Sequence, residues 1–172
     1  KELHLNNNKL EKINLNVFKG LDKLQTLSLK NSDYFIEDTP SSIVNMFKGI
    51  NKLIRFSLSD YNISNDLNKK LINSVYSNSY ILENVLSTNN HITDIDGNLF
   101  SYLLNLNHLR LDKNEVKRIN SITFEGLAKL DAFLEEDEDL AKSLSNLESL
   151  SINSNELTEL DLNIFENFKN IK

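Results

Sequence analysis

Seven aliphatic residues return in one phase along the chain: Leu24, Leu53, Leu82, Leu106, Leu130, Leu147 and Ile171, separated by 29, 29, 24, 24, 17 and 24 residues. A period of this length constrains the fold more than any local propensity. A unit so short cannot bury its own apolar face, so it must stack on copies of itself around a shared core.

The regularity extends within each unit. Residues 106–130 give Leu106, Leu109, Leu111, Asn114, Val116, Ile119, Phe124, Leu127 and Leu130. The same phase appears at the start in Leu3, Leu5, Asn8, Leu10, Ile13, Phe18, Leu21 and Leu24, again from Leu82 to Leu106, and again from Leu147 to Ile171. Apolar residues two apart, such as Leu109 and Leu111, share one face of a short strand. Identical strands stacked once per unit form a parallel sheet that buries this face.

Two other columns have their own physical reasons. Asn8, Asn90, Asn114 and Asn155 carry an amide that both donates and accepts, so each can satisfy turn backbone that would otherwise be buried unpaired. Phe18, Phe47, Tyr76, Phe100, Phe124 and Phe165 are expected to fill the outer side of each coil. Gly20, Gly49 and Gly126 stand two residues after a phenylalanine of that column and mark a recurring backbone turn. The predicted units are 1–23, 24–52, 53–81, 82–105, 106–129, 130–146 and 147–170, one solenoid segment of a longer chain. Residues 34–42, with the single proline Pro40, read as an outward loop, and 66–76 as a short helix spaced by Leu67, Leu71 and Val75.

The pattern LxxLxLxxNxLxxIxxxxFxGLxxL at Leu106 to Leu130 resembles the typical 24-residue class of leucine-rich repeats. The mixture of 24- and 29-residue units, with LQTLSLKNS at Leu24 to Ser32, is similar to ectodomains of the Toll-like receptor kind. The resemblance implies an α/β fold: a right-handed solenoid with a parallel sheet on its concave face and an irregular or short-helical convex side. It implies recognition of protein or other ligands by that face, commonly outside the cell, with an innate-immune or cell-surface receptor as the specific version. The alternative is a substrate-recruiting or scaffold arm of an intracellular enzyme, which would be cytoplasmic. Ser32, Tyr61 and Glu138 depart from the asparagine column, and Ser87 and Glu135 occupy inward strand positions.

Composition narrows the chemistry. There is no cysteine in the 172 residues, so neither a disulfide nor a thiolate metal site forms. Lys+Arg number 19 against Asp+Glu 25, for a net charge of −6, and the only arginines are Arg55, Arg110 and Arg118. Such a balance argues against a nucleic-acid partner, which needs clustered positive charge. No apolar run reaches the ~18 residues of a membrane span.

Candidate ligand residues follow from alternation, since side chains between the inward leucines face solvent on the concave sheet. The expected column between paired leucines is His4, Ser28, Ser57, Leu86, Arg110, Leu134 and Ser151. Arg55, Ser57, Leu86, Thr88, His108, Arg110, Asp112 and Leu134 are the predicted ligand-binding set, aliphatic and cationic side chains together being the usual hot-spot mixture. Single exposed leucines are also common on ordinary surfaces. The partner expected is a protein, with homo- or hetero-oligomers as further forms, and such binding needs no cofactor.

Catalysis and metal binding find little support. His4 and His108 fall four repeats apart, and His91 has no second histidine at ligand spacing. The run Glu135 to Asp139 offers oxygens but lacks the glycine-punctuated spacing of a calcium loop, and reads as a solvated segment that leaves the repeat register. Asn62-Ile63-Ser64 is an N-glycosylation sequon placed just past a strand.

Overall fold

A computed structural model describes residues 1–8, 17–30, 47, 49–60, 74–75, 81–95, 100, 103, 105–120, 123–124, 147–165, 168 and 170–172. Six short strands form one parallel sheet: β1 (Glu2–His4), β2 (Thr26–Lys30), β3 (Arg55–Ser59), β4 (Asn84–Leu86), β5 (His108–Arg110) and β7 (Ser149–Ser151). A smaller parallel pair joins β6 (Arg118–Ile119) to β8 (Glu159–Leu160), and a 3-10 helix follows at Leu162–Phe165.

The sheet is in uniform register. Leu3, Leu27, Phe56, Val85, Leu109 and Leu150 stand side by side across its six strands. The middle four are buried, and Leu3 and Leu150 are partly so. Rungs just before the strands extend the stack: the N–H groups of Gln25, Ile54, Glu83, Asn107 and Glu148 donate to the carbonyls of Lys1, Gln25, Ile54, Glu83 and Asn107 at 2.8–2.9 Å. Each coil thus satisfies the backbone of the next, which a buried stack requires.

The asparagine column performs the task its chemistry suggests. Asn114 Nδ2 donates to the carbonyls of Ser87 and Leu111, both at 2.9 Å, while its Oδ1 accepts from the Ile92 N–H at 3.2 Å. Asn155 repeats this with Leu111 and Ile152 as acceptors and the Val116 N–H as donor. Asn90 Nδ2 reaches the Leu58 carbonyl and the hydroxyl of Ser87. The inward serine at 87, a departure from the apolar pattern, is therefore a buried polar group with a partner.

The residue before this column adopts left-handed backbone in five coils: Asn7, Asp60, Asn89, Lys113 and Ser154, with φ between 55° and 63°. Asn and Asp tolerate that region better than most residues, whereas Lys113 occupies it against its preference. Gly20 and Gly49 have φ of 83° and 100°, and a Cβ at either would meet nothing within 4 Å. Their backbone conformation, not crowding, calls for glycine.

Phenylalanine rings stack along the outer side of the core. Phe18 lies on Phe47 at 5.7 Å between centroids, and Phe100 on Phe124 at 6.0 Å. One expectation fails here. Phe165 keeps the turn of its column, accepting the Phe168 N–H at 3.1 Å, but its ring is 40% exposed. The 3-10 turn, closed by Asn163 N–H to Asp161 Oδ1, instead buries Ile164, and Phe168 packs edge-on against Phe124 at 5.9 Å.

A second correction concerns the unit 130–146. The expected strand column ran Arg110, Leu134, Ser151, but β5 pairs directly with β7, placing Arg110 against Ser151 and Leu109 against Leu150. The smaller sheet agrees, since Arg118 and Ile119 pair with Glu159 and Leu160. No strand therefore stands between β5 and β7, and residues 130–146 themselves lie outside the described residues.

Leu134, the acidic run, Asn62, Tyr76, Gly126 and the loop at 34–42 lie outside the described residues. Of the helix expected at 66–76, Ser74 and Val75 are described, and both are helical and buried. Among the described residues, no helix is long and apolar enough to cross a membrane.

Candidate functional site

Because successive side chains of a strand point to opposite faces, turning Leu3, Leu27, Phe56, Val85, Leu109 and Leu150 inward turns the two neighbours of each outward. The register arranges them in two rows. One row is Glu2, Thr26, Arg55, Asn84, His108 and Ser149, and the other is His4, Ser28, Ser57, Leu86, Arg110 and Ser151. Arg55, His108 and Arg110 are exposed, and Ser57, Asn84 and Leu86 between them are partly so. Leu86 adjoins Arg110 in its row and stands diagonal to Arg55 and His108, so four predicted ligand residues form one patch over β3, β4 and β5.

Asp112 and Thr88 have other work. Asp112 is only 6% exposed. Its Oδ1 accepts from the Ser151 hydroxyl and, at 2.8 Å, the Asn153 N–H, while Oδ2 accepts Nε and Nη2 of Arg110, each at 3.0 Å. Burial raises the carboxyl's pKa, but the bonds from Ser151, Asn153 and Arg110 together hold it below the ordinary aspartate value. Asp112 therefore ties the coil of β5 to that of β7 while fixing Arg110.

Asn6 occupies the equivalent place at the start of the chain, with Oδ1 accepting the Ser28 hydroxyl at 2.7 Å and the Lys30 N–H at 2.8 Å. Thr88 donates its N–H and hydroxyl to Ser59 Oγ at 3.3 and 3.1 Å. The positions just after each strand are thus a polar seam between coils.

Sequence reasoning placed Asp112 on the ligand face and missed this seam. The signal was an acceptor side chain opposite a serine one coil on, visible at Asn6 and Ser28. At Asp112 it was hidden, because the expected coil order put Leu134 where Ser151 stands.

Arg110 remains 55% exposed at its side chain although one edge of its guanidinium is held. Arg55 makes no ion pair or side-chain hydrogen bond to any described residue. Near His108, Glu148 is engaged by Lys172 Nζ at 2.9 Å, and that contact first, with His108 a smaller contributor, lowers its pKa. The remaining histidines pair separately, His4 with Glu2 at 3.2 Å and His91 with Glu115. His4 and His108 lie on β1 and β5, four strand spacings apart. Among the described residues, no three His, Cys, Asp or Glu side chains cluster as a metal would need. A cavity of about 240 Å³ opens at the edge of the first coil, between Leu3, Leu21 and Leu24, away from the patch.

Stacked parallel strands, an asparagine ladder at the turn and an irregular return define a leucine-rich repeat solenoid. Comparison with known proteins agrees: residues 82–134 match the leucine rich repeat family model, and the whole chain shares the fold of leucine-rich repeat proteins. Two solved structures are similar over 99% of the chain. One is a TLR13–ssRNA13 complex, at TM-score 0.66 and 22% identity; the other is the Leptospira interrogans LRR protein LIC12759, at 0.67 and 20%. The chain spans 24% and 35% of their respective lengths. No curated protein matches its sequence.

Proposed function

We propose that the chain is a non-catalytic recognition segment of a receptor-type ectodomain, and that it binds a protein ligand through the concave sheet at Arg55, Ser57, Leu86, His108 and Arg110. The observation that carries this reading is the division of labour across the sheet. Inward residues and the polar seam are committed to holding coils together, whereas the patch over β3, β4 and β5 is exposed or partly exposed and touches the seam through Arg110 and Asp112. Solenoids use extended concave surfaces of this kind for binding. An aliphatic side chain beside arginines has the composition of an interface hot spot.

A cell-surface or secreted setting, and a role like that of Toll-like receptors in innate immunity, are the specific form of the proposal. The similarity to TLR13 supports it at the level of fold, and the sequon at Asn62 is consistent with export. The ssRNA named with TLR13 belongs to that protein. Here the two outward rows hold no Phe, Tyr or Trp among the described residues, and single-stranded RNA without stacking platforms needs a dense basic groove instead. Affinity capture from native extract, read by mass spectrometry, tests the reading: alanine at Leu86 and Arg110 is expected to remove the captured partner, and retention by the double variant would refute it.

A further inference from the structure

The charge of the patch runs against the charge of the chain. Acidic residues outnumber Lys and Arg by 25 to 19, yet the exposed ionisable side chains of the two outward rows over β3, β4 and β5 are Arg55, His108 and Arg110. Two nearby carboxylates are already engaged, Asp112 by Arg110, Ser151 and Asn153, and Glu148 by Lys172. A guanidinium held along one edge keeps outward donors in fixed positions, so less side-chain freedom is lost when a second carboxylate arrives.

We infer that the partner presents an extended acidic segment in which an aliphatic side chain is flanked by carboxylates, the aliphatic group covering Leu86 and the carboxylates meeting Arg110 on one side and Arg55 on the other. The spacing supports this. Arg55 on β3 and Arg110 on β5 are two strands and two residues apart, a diagonal of about 12 Å that passes over β4 beside Leu86. In an extended peptide, residues four apart lie on one face about 13 Å from each other, with the residue midway between them on the same face. A pattern of acid, any residue, aliphatic, any residue, acid therefore matches the patch in sign, length and order.

This inference rests on the concave-face reading and adds the chemistry of the ligand. The test is an NMR titration of the full chain, labelled with 15N, using the capped peptide Ser-Glu-Ala-Leu-Ala-Glu-Ser, its counterpart with Gln for both Glu, and a ten-residue oligouridylate. The acidic peptide is expected to shift the amides of Arg55, Asn84, Leu86, His108 and Arg110. The Gln peptide should bind at least fivefold more weakly, as should the acidic peptide to Arg55→Glu, a change at a side chain with no described partner. Arg110→Gln, which retains a donor towards Asp112, should also weaken it. Equal binding of the two peptides on these amides would overturn the acidic partner while leaving the concave face as the ligand surface. Tighter binding of oligouridylate there would overturn it in favour of nucleic acid. No shift with any probe would also overturn it, and failure of the concave reading itself would appear separately, as partner capture indifferent to Leu86 and Arg110.

Discussion

The turn after each strand and the outward face of the strand itself lie only a few residues apart, yet they repeat to very different degrees. At the turn, Asn90, Asn114 and Asn155 bond the neighbouring coil's backbone in nearly the same way, and the preceding residue is left-handed in five coils. On the outward face, the row His4, Ser28, Ser57, Leu86, Arg110 and Ser151 changes from coil to coil: Ser28 and Ser151 bond Asn6 and Asp112 of the preceding coil, whereas Leu86 and Arg110 replace serine on β4 and β5. A position repeats when the backbone makes the same demand in every coil. Where the backbone makes none, the side chain is free to answer to something outside the chain.

Substitutions should separate the two regions by size of effect. The largest belongs to the core that both share: Phe100→Ala, at a fully buried ring stacked on Phe124, should lower the free energy of unfolding by about 3–5 kcal/mol in denaturant titrations. Asn114→Ala should follow at about 2–4 kcal/mol, because each buried backbone group left unpaired costs about 1–3 kcal/mol. A loss as small as that of a surface change would mean the ladder is not what holds the turns.

Asp112 stands at the boundary between the two regions. Asp112→Ala should lose about 2–3 kcal/mol, from bonds to a charged acceptor. Asp112→Asn should lose less, since Asn6 shows that an amide oxygen can serve the same seam. The carboxyl's pKa is lower folded than unfolded, so its contribution is complete above the unfolded value of about 4 and disappears as pH falls through the folded value. Thermal melts across that window should therefore show a steeper acid loss in the wild type than in Asp112→Ala. Smallest of all is Arg55→Ala, expected to change stability by no more than about 0.5 kcal/mol. A larger effect there would assign the outward row a structural role.

The same contrast explains what could be read from the sequence. Strand phase, the asparagine ladder and most of the phenylalanine column were legible, because repetition converts one ambiguous apolar run into several concordant ones. Leu130 and Leu134 misled by carrying the right residue types in a segment that adds no strand between β5 and β7. From that error followed the wrong neighbour for Asp112, whose place in the predicted ligand set came separately, from alternation. Lys113 gave no sign of its left-handed backbone, since nothing in a lysine favours φ of 55°. That Arg55, Leu86, His108 and Arg110 share one outward face was legible from alternation alone, whereas the engagement of Asp112 by Arg110, Ser151 and Asn153 was not, because it depends on which coils are neighbours.

The most direct measurement of the central claim places a photo-crosslinking amino acid at Ser57, within the outward row, or at Lys117, outside it, and irradiates each variant in native extract. A partner band from position 57 and none from 117 is the predicted result. Crosslinking from 117 alone would mean that recognition takes place elsewhere on the solenoid.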